Sequence, residues 1–262
     1  MKQSTAVPAS FVTALCAVGV LGLAGCMSNT EKPLSKPEPE RAAEINLEIG
    51  MDYLRKGNLQ QAKDKIDRAL DQNPRNSKAH ITAGMLYDRL GQPEKAESHF
   101  ARGVQLDPEN PEIKNTYGAY MCQKGKYSKG EKLALEAAGN PLYRTPEIAY
   151  LNAANCARND GDLKRTEQSL RNALKVRPRF GEALFQMADL SYNKADYLAA
   201  RGFLERYLEV GRTNAASLWL GVRIERGLGN DTAAQNYAER LKFEYPRAAQ
   251  TKELLEIERN PG

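Results

Sequence analysis

The chain of 262 residues carries 38 Lys and Arg against 33 Asp and Glu. Because acidic and basic residues alternate through the predicted helices, with no basic stripe among aromatic residues, the charge pattern argues against nucleic-acid binding. The two histidines, His80 and His99, stand in no catalytic or metal-binding motif and are expected on helix surfaces. The sequence therefore predicts no enzyme, no cofactor, no metal site and no small-molecule substrate; catalytic groups assembled from distant residues stay the open alternative.

The first 25 residues are typical of a secretory signal peptide. Lys2 precedes an apolar run from Phe11 to Leu23, which at about 13 residues is shorter than the roughly 20 that span a hydrocarbon core. The run ends in Leu23-Ala24-Gly25-Cys26, which resembles the bacterial lipobox. This resemblance implies that residues 1–25 are removed and that Cys26 receives a lipid anchor. A secretory signal with a chance cysteine is the alternative.

Residues 26–42 are predicted to be a lipidated N-terminus followed by a proline-rich linker. Pro33, Pro37 and Pro39 interrupt a polar stretch, so we expect an extended spacer between the lipid and the folded body. Met27 follows the cysteine at the position where lipoproteins retained in the inner membrane typically carry aspartate. By that resemblance the chain is expected to be lipid-anchored to the outer membrane, on its periplasmic face.

The body, residues 43–260, shows a repeat of 34 residues. Pro74 and Pro108 mark its first period, and helical patterning lies between them. This period is typical of tetratricopeptide repeats, helix-turn-helix units that stack into a solenoid. We therefore predict an all-α fold: a right-handed superhelical solenoid of six such repeats plus a C-terminal helix over Gln250 to Arg259. The predicted repeats begin at Ala43, Ser77, Pro111, Glu147, Gly181 and Ala215.

The residues of the first helices that the predicted packing does not use form a candidate binding surface. In each repeat a small residue such as Gly50 or Gly84 is expected to let the two helices approach, and large residues fill the space between units. The first helices of repeats one and two then leave an unusual number of apolar residues facing the concave side, which is typical of an interaction groove. Coverage by the N-terminal spacer or by a neighbouring domain is the alternative. The predicted groove residues are Leu47, Met51, Leu54, Ile81 and Met85.

Several short runs resemble a particular lipoprotein family. Asn115-Thr116-Tyr117-Gly118 and Asn152-Ala153-Ala154-Asn155-Cys156, together with the lipobox and the six repeats, are similar to the pilotin lipoproteins of type IV pilus biogenesis, the PilF/PilW family. The resemblance implies a protein partner, the pilus secretin, which the pilotin helps to reach the outer membrane and to multimerise. Another outer-membrane adaptor of the same repeat type, organising cell-wall hydrolases or barrel assembly, is the alternative.

Cys122 and Cys156 form the second candidate site. They are 34 residues apart, in the first helices of adjacent repeats, so they are expected to be neighbours in the stack. Packed helices lie about 8 to 10 Å apart, whereas a disulfide needs Cα atoms within about 7 Å, so spacing leaves a bond and two buried free thiols both open. The family resemblance favours the bond.

Overall fold

The computed structural model describes residues 38–210 and 213–259. All regular elements in these ranges are α-helices, which confirms the predicted fold class. In chain order the helices are α1 (Pro39–Arg55), α2 (Leu59–Gln72), α3 (Ser77–Arg89), α4 (Pro93–Leu106), α5 (Pro111–Gln123), α6 (Tyr127–Ala138), α7 (Pro146–Asn159), α8 (Leu163–Val176), α9 (Gly181–Asn193), α10 (Tyr197–Val210), α11 (Ala215–Gly227), α12 (Asp231–Glu244) and α13 (Ala249–Arg259).

The first twelve helices form six antiparallel pairs, one for each predicted repeat. The two helices of a pair pack along their length, and the second helix then contacts the first helix of the next pair. First helices also contact one another along the stack, α1 with α3, α3 with α5, α5 with α7 and α9 with α11, whereas second helices make no comparable contacts with each other in the described ranges. The stack therefore curves with its first helices on the inner face.

Small residues bring the helices of a pair together, as the sequence predicts. A Cβ atom added at Gly50 would lie 2.8 Å from the Ile66 side chain, and one at Gly84 would lie 2.8 Å from the Phe100 ring. Both distances are shorter than any van der Waals contact between carbon atoms, so these positions accept only glycine without a shift. The repeat spacing thus reflects a recurring close contact between the two helices.

The predicted linker, residues 26–42, extends into the first helix of the structure. Helix α1 begins at Pro39, with Pro39 in its first turn, so residues 39–42 are helical and not extended. Proline is well suited to this position because the first N–H groups of a helix have no partner within it. The signal peptide, Cys26 and the rest of the predicted linker lie outside the described residues.

Helix α13 covers the last pair, close to its predicted bounds. Its Leu254 is buried in a cluster with Leu218, Trp219 and Leu241, so it closes the core that α11 and α12 would otherwise expose. Glu38–Gly262 form one compact unit. No helix within the described residues is both long and apolar enough to cross a membrane.

The junction between the third and fourth pairs is irregular. Residues 139–145 form a longer connection, and α6 packs on α7 almost as extensively as the two helices of one pair do. Ala137, Ala138, Tyr143 and Ala149 build a small core there. The longer connection therefore joins two repeats that pack closely on one another.

Candidate functional site

A groove with a volume of about 490 Å³ lies on the inner face, between α1, α3 and α5. It is called the N-terminal groove here, and its apolar lining consists of Met51, Leu54, Met85, Phe100, Ala119 and Tyr120. Leu54, Phe100 and Tyr120 are buried and form the floor. The groove is therefore an apolar depression built from the first three repeats, at the end of the solenoid where the sequence places a binding surface.

Two methionines form the accessible walls of the groove. Met51 is 38% exposed, and Met85 is half-buried on the adjacent helix α3. An unbranched thioether side chain repacks easily around different partners and is frequent at adaptable binding surfaces. These two predicted residues can make direct contact with a bound chain.

Leu47 and Ile81 do not face the groove, so the prediction that they are accessible is wrong. Leu47 is buried in a cluster with Ala69 and Ala79, between the first and second repeats. Ile81 is buried against Gly103, whose missing Cβ leaves room for the isoleucine branch. Both residues lie nearer the start of their helices, where Leu47 packs against the second repeat and Ile81 packs against α4 of its own repeat. Helical periodicity alone does not separate these packing roles from exposure on the inner face.

The aromatic floor is held in place by stacking and one hydrogen bond. The rings of Phe100 and Tyr120 lie 4.5 Å apart, and the Tyr120 hydroxyl donates to the Pro93 carbonyl oxygen over 3.2 Å. Burial raises the pKa of Tyr120 above its usual value, so the phenol is neutral at physiological pH. The floor accordingly offers apolar surface and no charge.

The rim of the groove is charged. Arg89 donates to the carbonyl oxygen of Leu54 near the end of α1, and so ties the second repeat to the first. Asp88 is paired with Lys124 over 2.7 Å, while Arg55 lies 3.5 Å from Asp52 and is largely exposed. An apolar floor with a charged rim is the arrangement found at protein-binding surfaces.

At its far end the N-terminal groove meets a row of side-chain amides. Asn152 donates to Asn115 over 2.9 Å, and Asn115 donates to the Tyr143 hydroxyl over 3.1 Å. A further cleft of about 310 Å³ continues from there past Asn155 and Asn159. The surface thus changes from apolar to polar as it passes from the third to the fourth repeat.

Beyond the fourth repeat the inner-face side chains largely contact one another. Gln186 donates to Asn155 over 2.9 Å, Arg158 forms an ion pair with Asp189, and the Arg223 guanidinium lies 4.2 Å from the centre of the Tyr192 ring. Their polar groups are mostly satisfied within the protein, so binding a partner there would require breaking existing contacts. The N-terminal groove differs because its floor is apolar, so a partner can contact Met51, Met85 and the aromatic rings without breaking polar contacts.

Cys122 and Cys156 are joined in the structure. Their Cα atoms lie 5.3 Å apart, inside the range that a disulfide needs, because α5 and α7 approach closely at the irregular junction. Gly130 makes room for the bond: a Cβ atom there would lie 2.3 Å from the Cys122 sulfur. This bond links the third repeat to the fourth.

The two histidines are not simple surface residues, contrary to the prediction. His80 Nδ1 lies 3.1 Å from His99 Nδ1, both rings are half-buried, and His99 stacks on Tyr87. Burial lowers the pKa of both side chains below 6.5. Nothing in the sequence spacing of 19 residues signals this contact, since it depends on how α3 and α4 pack. In the described ranges, no group of three or more His, Cys, Asp or Glu side chains is arranged to hold a metal ion.

Comparison with known proteins supports the repeat assignment. A tetratricopeptide repeat family model matches residues 53–120. The type IV pilus assembly protein PilF of Pseudomonas aeruginosa is 25% identical over 236 residues, which cover 89% of this chain and 94% of that protein. The crystal structure of PilW, described as a widely conserved type IV pilus biogenesis factor, aligns with a TM-score of 0.74 and 27% identity over 81% of this chain and 98% of PilW. The structure of P. aeruginosa PilF aligns with the same TM-score over 83% of this chain, at 24% identity.

Proposed function

We propose that this tetratricopeptide repeat protein, which is similar to PilF and PilW over most of its length, is a pilotin of type IV pilus biogenesis. In this role it binds the pilus secretin, brings it to the outer membrane and promotes its multimerisation. The protein acts as an adaptor and not as an enzyme. Its relation to PilF extends over most of both chains, which supports a shared role and not merely a shared repeat.

The N-terminal groove is the observation that carries this proposal. It offers two accessible methionines above an apolar aromatic floor, and no described side chain covers it. A secretin segment that places apolar side chains against Met51 and Met85 would bury the surface that the monomer leaves open. The predicted groove thus keeps Met51, Leu54 and Met85 as binding residues, without Leu47 and Ile81.

Membrane attachment is the second part of the proposal. Acyl chains on Cys26 would anchor the adaptor to the periplasmic leaflet of the outer membrane, since each buried methylene contributes about 0.8 kcal/mol. The tether would also raise the effective concentration of the groove near membrane-bound secretin. We expect Cys26→Ser to leave a folded protein that no longer incorporates palmitate or fractionates with the outer membrane. Continued palmitate labelling of this variant would contradict lipidation at Cys26.

Replacing the groove methionines tests the partner. Met51→Asp with Met85→Asp places two charges on the apolar wall, and we expect secretin binding to weaken at least about a hundredfold. In cells, secretin multimers and twitching motility should be lost. Leu255→Asp is a matched control, because Leu255 is 37% exposed but lies on α13 at the other end of the stack. If the double variant unfolds at a lower temperature than the wild type, the single variant Met51→Asp is tested in its place.

The same strains separate the alternatives. If cells with a folded double variant still form normal secretin multimers, the N-terminal groove is not the secretin-binding site. A defect in cell shape or in outer-membrane protein assembly, with normal motility, would instead indicate an adaptor for cell-wall hydrolases or barrel assembly.

A further inference from the structure

The connection between α6 and α7 holds a leucine out in solvent. Leu142 is 86% exposed although the loop around it is firmly attached. The Leu142 N–H donates to Asn140 Oδ1 over 2.9 Å, and the Asn140 amide donates to the Glu109 carbonyl oxygen over 3.2 Å. On the other side Tyr143 is buried, with its hydroxyl accepting from Asn115. Packing therefore accounts for Tyr143 and Asn140 but gives Leu142 no role inside the protein.

A second loop of similar character lies beside it. Arg177, which follows α8, has its guanidinium 3.6 Å from Glu147 at the start of α7, so the α8–α9 connection adjoins the α6–α7 connection. Val176 there is 46% exposed. The two loops and the helix ends next to them form a surface that we name the basic loop patch, which consists of Leu142, Arg144, Lys175, Val176, Arg177 and Arg179.

The positive charge of this patch is only partly balanced. Glu147 faces Arg177, and Glu182 is exposed on the neighbouring helix α9. The exposed Glu109 and Glu209 adjoin the patch through backbone carbonyl oxygens that accept from Asn140 and Arg179, and the exposed Arg206 donates to the Pro178 carbonyl oxygen beside it. Arg144 and Lys175 make no ion pair with any residue that the structure describes. The opposite edge of the same repeat differs, since Asp160 and Asp162 are both bound by Arg165 there. The fourth repeat thus has a cationic edge with an apolar tip.

We propose that the basic loop patch docks on an anionic phospholipid surface. Leu142 and Val176 would enter the headgroup region while the surrounding cations lie among the phosphates, an arrangement in which apolar contact and electrostatic attraction add. An acidic glycan would satisfy the cations but would give an exposed leucine nothing apolar to bury, so the apolar tip favours lipid. Docking through this edge leaves the inner face, and with it the N-terminal groove, free to bind protein.

Vesicle sedimentation tests the proposal on an unacylated chain of residues 27–262, which contains the whole compact unit Glu38–Gly262. We expect it to bind vesicles of phosphatidylglycerol and phosphatidylethanolamine at low salt, and to leave phosphatidylcholine vesicles unbound. Arg144→Glu with Arg179→Glu should weaken binding at least about 25-fold, because each basic residue at an anionic surface contributes about fivefold. Leu142→Ser should weaken it about tenfold by removing the apolar contact without changing the charge.

Matched variants outside the patch are the controls. Leu198→Ser removes a leucine that is 70% exposed on α10, and Arg226→Glu with Arg259→Glu repeats the charge change at exposed sites elsewhere. Both should bind like the wild type. The proposal is overturned if the wild type does not sediment with phosphatidylglycerol vesicles, or if the charge control weakens binding as much as the patch variant. Unchanged binding by Leu142→Ser would equally overturn it, since the site would then recognise any polyanion.

Discussion

The first three repeats and the last three share a packing pattern but present different inner surfaces. A Cβ atom at Gly84 in the second repeat and one at Gly221 in the sixth would each lie 2.8 Å from an aromatic ring sixteen residues further on, Phe100 and Tyr237 respectively. The inner face around Met51 and Met85 is nevertheless open and apolar, whereas the inner face around Arg158 is filled by side-chain pairs. Packing positions therefore determine the solenoid, and the positions between them determine where a partner can bind.

The sharpest test of this division compares two residues one turn apart on α1. Leu47 is a packing residue and Met51 a groove residue. We expect Leu47→Asp to lower the free energy of unfolding by about 4 kcal/mol, because it buries a carboxylate without a partner, and Met51→Asp to lower it by less than about 1 kcal/mol. Urea denaturation followed by circular dichroism measures both. Equal losses would mean that the groove and the core cannot be separated at this helix.

The disulfide tests whether the two halves are linked at their junction. Replacing both Cys122 and Cys156 by Ala should cost about 3 to 4 kcal/mol, the value expected for closing a loop of this length. Thiol labelling of the denatured, unreduced protein decides whether the bond exists: no modification of either cysteine is expected, and two modified cysteines would rule the bond out.

Two glycines offer a smaller test, because one lies at a close helix contact in the first half and the other at an open position in the second half. At Gly130 an added Cβ would meet the Cys122 sulfur and, at 2.6 Å, the Gly118 carbonyl oxygen. Gly130→Ala should therefore destabilise the protein by about 2 kcal/mol. At Gly202 in α10 an added Cβ meets nothing within 4 Å. Gly202→Ala should instead stabilise the helix by about 0.5 to 1 kcal/mol, and thermal melting of both variants checks the opposite signs.

The histidine pair predicts a modest acid sensitivity confined to the N-terminal half. Because burial lowers the pKa of His80 and His99 in the folded state, the unfolded chain takes up protons first as the pH falls through about 6.5. Stability should decrease from there towards pH 5. The groups facing the pair are Arg102 near His80, and Asp67 and Lys95 near His99.

The buried Glu131 carboxyl affects the pH dependence of stability in the opposite direction. Burial raises the pKa of its carboxyl, which makes the folded state take up protons more readily and so opposes the histidine effect. His80→Gln with His99→Gln should therefore flatten the loss of stability between pH 7 and pH 5 in chemical denaturation. An unchanged slope in this variant would assign the acid sensitivity to other groups.

Much of the fold could be predicted from the sequence because the repeat signal is carried by residue size. Gly50 and Gly84 fall at close helix contacts, and Pro74 and Pro108 mark one period of 34 residues. The predicted C-terminal helix over Gln250 to Arg259 agrees with α13 to within one residue, and its Leu254 packs on the last pair. The start of α1 is not predictable from Pro39, because proline occurs both in the first turn of a helix and in extended linkers.

The site was less predictable because it depends on contacts between different helices. Met51, Leu54 and Met85 line the groove as expected, but Leu47 and Ile81 do not, since their burial depends on Ala79 and Gly103 in other helices. The pairing of His80 with His99 depends on a helix contact in the same way. Periodicity along one helix cannot distinguish a side chain that faces the inner surface from one that faces the adjoining unit.

Photocrosslinking in living cells tests most directly whether the open groove of the first half is where the partner binds. A photoreactive phenylalanine analogue at Met51 should form an adduct with the pilus secretin, and the same analogue at the half-buried Phe185 on α9, in the second half, should form none. Both variants must retain twitching motility for the comparison to count. A secretin adduct from position 185 alone, or an adduct of position 51 with a different protein, would contradict the account.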